Sequence, residues 1–498
     1  MEEVFMSRKN DGIYDARQLG YPKMMVLGLQ HMFAMFGATV LVPALTGLSV
    51  SATLLFAGLG TLLFHFLTKG KVPAFLGSSF AFLAGYGAIA PNGERELLPY
   101  ACLGVACAGL LYLVLAGLIK VFGQHKVMRF FPPIVTGPII IAIGLTLSAS
   151  AIDNCKKNWA IAVIAILIVV ICNIYGKGMV KIVPIILGVI GSVAVAAILA
   201  AAFGSNVDGM IVLNHSDKWQ LFSKAALDNI KEAKWIGLPF HKCDTIYTVI
   251  KEHDRKLIID AIITIMPIAL ATIVEHIGDI SAISSTTGED YIDDPGLHRT
   301  LTGDGLATIL ASFFGAPANT TYGENTGVLT LSKVYDPRVI RIAACFAILL
   351  SFSPKFAAVI TAMPGATIGG VSLVLYGMIS AVGVRNIVEN QIDFSKSRNV
   401  IIAALILVLS IGINYSGSIE IDAGRLEISL SGLAVGALVG IIMNAILPMD
   451  DDKDYKGLSK TIKSEDVLFA NLDAFKDYKG LSKTIKSESK KKNKKAKA

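Results

Sequence analysis

The sequence predicts an all-α polytopic membrane protein of fourteen transmembrane segments, arranged as two sets of seven in inverted orientation. Three observations carry that reading. Apolar residues fill 53% of the 498 positions and charged ones only 17%, too little charge to clothe a soluble chain of this length. Apolar stretches of roughly 17–25 residues, each able to cross about 30 Å of hydrocarbon, recur along nearly the whole chain. Local sequences also return in order at a nearly constant offset. Gln30-His31 in "LGLQHMFAMFG" is matched by Glu275-His276 in "ATIVEHIGDIS", 245 positions on, and Pro73 in "PAFLGSSFAF" by Pro317 in "PANTTYGENT", 244 on. A looser third match sets "FPPIVTGPIII" (131–141) against "MPGATIGGVSL" (363–373).

Residues 1–22 are charged and polar, lack a basic-then-apolar leader pattern, and read as a cytoplasmic N-terminus. The apolar, membrane-spanning region covers 23–448. Its first seven spans lie near 23–45, 50–68, 74–90, 98–122, 131–150, 158–175 and 179–203. An extracellular loop, 204–257, follows, and its irregularly spaced His215, His241, Cys243 and His253 read as solvated residues rather than a metal site. The second set lies near 258–284, 300–316, 318–333, 338–352, 355–384, 399–415 and 429–448. An odd number of spans per half makes the second half enter from the opposite side. Placing both termini in the cytoplasm puts "TKGKVP", "GQHKVMR", "YGKGMVK" and "SKVYDPRVIR" inside, in keeping with the positive-inside rule. Residues 449–498 repeat "KDYKGLSKTIKSE" and end in "SKKKNKKAKA", a disordered basic cytoplasmic tail. The six cysteines have no metal or disulfide spacing.

Two segments are unlike the rest. "PAFLGSSFAFLAGYGAI" and "PANTTYGENTGVLTLSKV" begin with proline and carry glycine and hydroxyl residues where a helix should start. Unwound backbone at membrane depth survives only where protein buries it or a cavity receives it. A pair of such segments in matching positions of two halves points to a binding site, with half-helix N-termini offering free N–H groups. Aligning the prolines sets Phe80 opposite Glu324. Ionisable residues at depth are costly, about 2.5–3.5 kcal/mol on insertion scales, and default to function. They are His31, Glu275, His276, Asp279, Asp304 and Glu324. Glu275 and Asp279 share one helix face and repel each other, so one of them holds a proton for part of a cycle, as a proton-coupling site requires. The alternative is a wet pair at a helix end. Asp304, in "TGDGL", is either functional or an N-terminal cap, and His31 and His276 read as braces for the unwound segments.

"QHMFAMFGATVLVPAL", "GKVPAFLGSSFAF", "EHIGD", "DPGLHR", "NTTYGENTGV" and "GGVSLVLYG" occur in order. Over about residues 20–448 the chain resembles the nucleobase–ascorbate transporters (nucleobase–cation symporter family 2), and within them the bacterial uracil permeases. The resemblance implies a core domain of about 23–122 and 258–352, a gate domain of about 131–203 and 355–448, and short extended strands in spans 3 and 10. It also implies proton-coupled import of a free base across the inner (cytoplasmic) membrane by a homodimer, with the proton as coupling ion and no other cofactor. By position, Glu275 and Glu324 would hold the base, the main-chain N–H groups of Phe80 and Gly323 would meet its carbonyls, and Tyr322 would border the pocket. Glu275 and Asp279 would couple the proton; Gln30, His31, His276 and Asn325 would support them. Asp279 replaces the histidine frequent in uracil permeases and is usual in xanthine and urate carriers, whereas Glu324 replaces the glutamine of purine carriers. Ser332-Lys333 also departs from the usual threonine-basic pair. Uracil is therefore the expected substrate, with xanthine or uric acid the alternative.

Other classes fit less well. Sulfate and bicarbonate carriers share the inverted plan, but two glutamates do not suit an anion pocket. No HExxH, GxSxG or P-loop supports an enzyme, and nothing points to nucleic acid. A passive channel would show a ring of pore-lining residues.

Overall fold

The computed structural model describes residues 12–213, 219–240, 244–252, 254–422 and 427–448; the side chain of Glu324 lies outside this description. So do the tail and His215, His241, Cys243 and His253.

The helices start and stop where local chemistry directs. Helix α1 (Tyr21–Thr46) has Pro22 in its first turn and ends at left-handed Gly47, a position where only glycine avoids a Cβ clash. Helix α2 (Val50–Leu67) is capped by Ser49, which accepts from Ala52 N. Strand β1 (Leu76–Ser78) and short helix α3 (Leu83–Ile89) follow, then α4 (Leu98–Phe122), α5 (Pro133–Lys156), α6 (Trp159–Tyr175) and α7 (Pro184–Phe203). The second part contains α9 (Arg255–Ile265) and α10 (Ala269–Thr287), joined by a single tight turn at Met266–Ile268, and α11 (Leu297–Phe313). Strand β5 (Asn319–Thr321) leads into α12 (Gly323–Ser332), followed by α13 (Pro337–Ser351), α14 (Pro354–Thr361), α15 (Gly365–Glu389), α16 (Ser397–Ser416) and α17 (Gly432–Ile446). Among the described residues eight helices are long and apolar enough to cross a membrane, or nine if the bent pair α13–α14 is one span. This is a mostly helical, multi-pass membrane protein.

One expectation needs correction. The predicted span 355–384 is two helices, α14 and α15, because Pro364 supplies no N–H and holds an extended ψ of 135° at the junction. The bend between α13 and α14 is 88°. The expected loop 204–257 carries secondary structure of its own. Strands β2 (Gly204–Val207), β3 (Met210–Leu213) and β4 (Gln220–Ser223) form an antiparallel sheet, and α8 (Lys224–Glu232) follows. The β2–β3 turn is Asp208-Gly209, with φ of 45° and 81°, the two-residue hairpin that an Asp-Gly pair favours. Strands β6 (Ile419–Asp422) and β7 (Glu427–Leu430) make one further hairpin.

Helix packing pairs distant parts of the chain. Helix α2 packs on α13, α4 on α11, and α5 on α15. The last pair is intimate: a Cβ on Gly144 of α5 would lie 2.2 Å from Tyr376 O of α15, so only glycine permits this approach. The closest packing falls into two sets, one among α1, α2, α4, α9, α11 and α13, the other among α5, α6, α7, α15, α16 and α17.

Candidate functional site

The two interrupted segments meet. Strands β1 and β5 pair antiparallel, Leu76 with Thr321, Gly77 with Thr320 and Ser78 with Asn319. The pairing extends through Ser79 N to Ala318 O (2.8 Å) and Tyr322 N to Phe75 O (3.0 Å). All six strand residues are buried, so their remaining polar groups need protein partners. Surrounding helices supply them. Thr61 Oγ1 of α2 accepts from Leu76 N at 2.9 Å, His65 Nε2 donates to Ala74 O at 2.9 Å, and Ser78 Oγ donates to Thr39 O at 3.0 Å. From the other side, Thr308 Oγ1 of α11 donates to Asn319 O at 2.8 Å, and Asn319 Nδ2 donates to Phe56 O at 2.9 Å.

Tyr322 locks the crossing. Its hydroxyl donates to Ser78 O at 2.8 Å and accepts from Thr39 Oγ1 at 3.3 Å. The ring lies where a side chain on residue 77 would otherwise go, since a Cβ on Gly77 would come within 2.5 Å of it. Tyr322 is thus packed into the strand pair, 3% exposed.

The carboxylates come from α10. Asp279 is buried, and its Oδ2 accepts from Thr321 Oγ1 at 3.3 Å. Its Oδ1 lies 3.4 Å from the position a Gly323 Cβ would occupy, beside the first turn of α12. That turn has no side-chain cap, and a helix N-terminus stabilises negative charge. Glu275, one turn earlier on α10, is half-buried. His276 is fully buried: its Nδ1 stands 2.9 Å from Asp304 Oδ2 and 3.4 Å from Thr321 Oγ1. A continuous polar chain therefore runs Asp304–His276–Thr321–Asp279, from α11 to the start of α12. Asp304 is no cap. It lies in the third turn of α11, which begins at Leu297, and has no solvent exposure.

The remaining predicted residues divide. Asn325 Nδ2 donates to His31 O at 3.2 Å and stands 3.2 Å from His31 Nδ1, tying α12 to α1. Gln30 directs its amide to Met179 Sδ and does not join this cluster. Phe80 sits two residues beyond β1, buried, with its ring edge-on to Tyr376 of α15 at 5.5 Å between centroids. Tyr376 went unassigned in the sequence, although "GGVSLVLYG" singles out its segment. Glu324 is the second residue of α12, and its N–H and that of Gly323 belong to the turn whose donors have no intrahelical acceptor. The site thus presents main-chain donors at two half-helix starts and acceptor carboxylates on α10, a set suited to a small polar molecule with both N–H and C=O groups.

Residues 22–418 match the xanthine/uracil permease model, described as a permease family. The chain is 36% identical over 433 residues to the uracil permease of Bacillus subtilis (strain 168), covering 84% of this chain and 91% of that one. It is 37% identical over 434 residues to the uracil permease of Escherichia coli (strain K12), covering 85% and 91%. Among solved structures it resembles the transmembrane domain of a cyanobacterial bicarbonate transporter, at 13% identity and a TM-score of 0.56, covering 87% of this chain and 99% of that one. At that identity the likeness concerns fold alone.

Proposed function

This chain belongs to the xanthine/uracil permease family and is a transporter rather than an enzyme, and we propose that it imports uracil with protons by alternating access. The observation that carries this reading is the β1–β5 crossing with Asp279 hydrogen-bonded to it and Glu275 one turn earlier on the same helix. Uracil offers two ring N–H donors and two carbonyl acceptors. In this reading Glu275 and Glu324 take the N–H groups, and the main-chain N–H groups of Phe80 and Gly323 meet the carbonyls. An analogue that leaves one of these groups unpaired loses affinity.

The wider plan is part of the same proposal. Fourteen spans form two inverted sets of seven in the cytoplasmic membrane, both termini face the cytoplasm, and the active form is a homodimer. Helix pairing supports the twofold plan: the second helix of one set packs on the fourth of the other, the fourth on the second, and the fifth on the fifth. The two packing sets support a core that includes α1, α2, α4, α9, α11 and α13 and a gate of α5–α7 and α15–α17. In our reading the gate moves against the core while a proton, held on Glu275 and shared with Asp279, links binding to movement.

Uptake of radiolabelled uracil by cells expressing the chain tests this, at acid and neutral external pH and with xanthine, uric acid and thymine as competitors. Uptake that rises in acid, collapses with a protonophore and ignores xanthine is expected. Accumulation of xanthine would instead favour the purine reading, for which Asp279 at β5 is the supporting feature.

A further inference from the structure

Residues Ile13–Ala16 lie outside every predicted span, yet they are held by more bonds than a polar terminus requires. Ile13 forms a parallel bridge with Val334, donating to Lys333 O at 2.8 Å and accepting from Tyr335 N at 2.8 Å. Tyr14 donates its hydroxyl to Thr287 O at 2.5 Å and sets its ring edge-on to Tyr335, 5.4 Å between centroids. Ala16 N donates to Asp336 Oδ2 at 2.7 Å. Arg338 Nη1 then bridges Asp15 Oδ1 at 2.9 Å and Asp336 Oδ2 at 3.1 Å.

The positions of the acceptors give the contacts a meaning. Thr287 is the last residue of α10, and Lys333 is the C-cap of α12. The final carbonyls of a helix have no intrahelical donor, and this short segment satisfies one from each of the two helices. Helix α10 carries Glu275 and Asp279; helix α12 begins with Gly323 and Glu324. At the site α10 is tied to β5, the strand that leads into α12, by the Thr321–Asp279 hydrogen bond. Toward their far ends Ile280 and Ile283 of α10 share a buried apolar cluster with Leu329 of α12, and Ile13–Ala16 adds polar contacts to both helix ends. Asp336, which holds Ala16, also caps α13 by accepting from Arg338 N at 2.9 Å.

We propose that Ile13–Ala16 is a strap that fixes the spacing of the two carboxylate-bearing helices, with Tyr14 as a positioning residue for substrate binding. The inference rests on the reading of the site given above. Its effect is on affinity: with the strap released, α10 and α12 move independently, and the acceptors on one no longer hold register with the donors on the other.

The test uses the full chain with its six native cysteines replaced by serine and nitroxide labels at Ser285 and Thr330, exposed positions near the ends of α10 and α12. With the strap intact the inter-label distance distribution is narrow. Tyr14→Ala broadens it and raises the KM for uracil about three- to tenfold, the range set by losing one part-buried hydrogen bond, while the maximal rate per molecule at the surface changes little. Tyr14→Phe keeps the ring contact without the donor and falls between, which guards against an alanine variant that does not fold. Unchanged distances and unchanged KM in both variants would overturn the strap. Broadened distances with an unchanged KM would overturn the positioning role. If the unmodified chain takes up no uracil, the site reading fails, and the distances alone still decide whether the segment clamps the helices.

Discussion

The two interrupted segments use one backbone device but different chemistry around it. In the first, β1 and its approach are held by hydroxyls and an imidazole: Thr61 on Leu76, Ser78 on Thr39 and His65 on Ala74. In the second, β5 and the start of α12 are held by a chain that includes two carboxylates, Asp304 and Asp279, with His276 and Thr321 between them. Both halves thus shape the site, but the titratable acceptors gather around the second. The first segment is braced by hydroxyls and an imidazole, the second by a set that includes carboxylates.

The largest effect that would break this comparison comes from the crossing itself. Gly77→Ala puts a Cβ 2.5 Å from the Tyr322 ring and 2.8 Å from Thr39 Oγ1, both buried, so relief needs backbone shifts that cost about 1–3 kcal/mol or more. The yield of folded protein, followed by fluorescence-detected size exclusion, should fall sharply. A matched pair sharpens the contrast between the halves. Thr321→Val leaves buried Asp279 without its hydroxyl donor, about 1.5–3 kcal/mol for a charged acceptor, and should displace the pH profile of uptake. Thr61→Val strands the Leu76 N–H, about 1–3 kcal/mol, and should lower the melting temperature while leaving the profile in place. Displacement by both variants would erase the proposed division. The smallest effect is Tyr322→Phe, which removes one hydroxyl from a site that keeps its ring packing. We expect about 0.5–1.5 kcal/mol of stability lost and a KM for uracil within about threefold of the parent, since the hydroxyl faces Thr39 and Ser78 rather than the carboxylates.

How much of this was legible depended on the kind of signal. Pro73 and Pro317, followed by glycines and hydroxyl residues, marked both interrupted segments, because a broken helix must advertise itself through residues that cannot continue one. Depth and charge marked Glu275 and Asp279 for the same reason of cost. The Asp304–His276 contact was not legible, since it joins two helices whose mutual rotation no local pattern records. The role of Gly77 was hidden too: its partner, the Tyr322 ring, lies far along the chain. The Asp208-Gly209 turn was visible in principle, but irregular polar sequence drew attention away from it. The strap left the faintest trace. Its two bonds through Ile13 are main-chain ones, which any residue can make, and the partners of Tyr14 and Asp15 lie hundreds of residues along the chain.

The most direct test of the division between halves is equilibrium binding of radiolabelled uracil to membranes containing the parent chain, Glu275→Gln or Glu324→Gln, with 1-methyluracil and 3-methyluracil as competitors. Each glutamine keeps the shape but loses the charge that receives an N–H, so each variant should bind uracil about 10- to 100-fold more weakly. Both methylated bases, each missing one N–H, should compete poorly on the parent. Binding by both glutamine variants at parental affinity, or full competition by either methylated base, would contradict the assignment of recognition to the carboxylates of the second half.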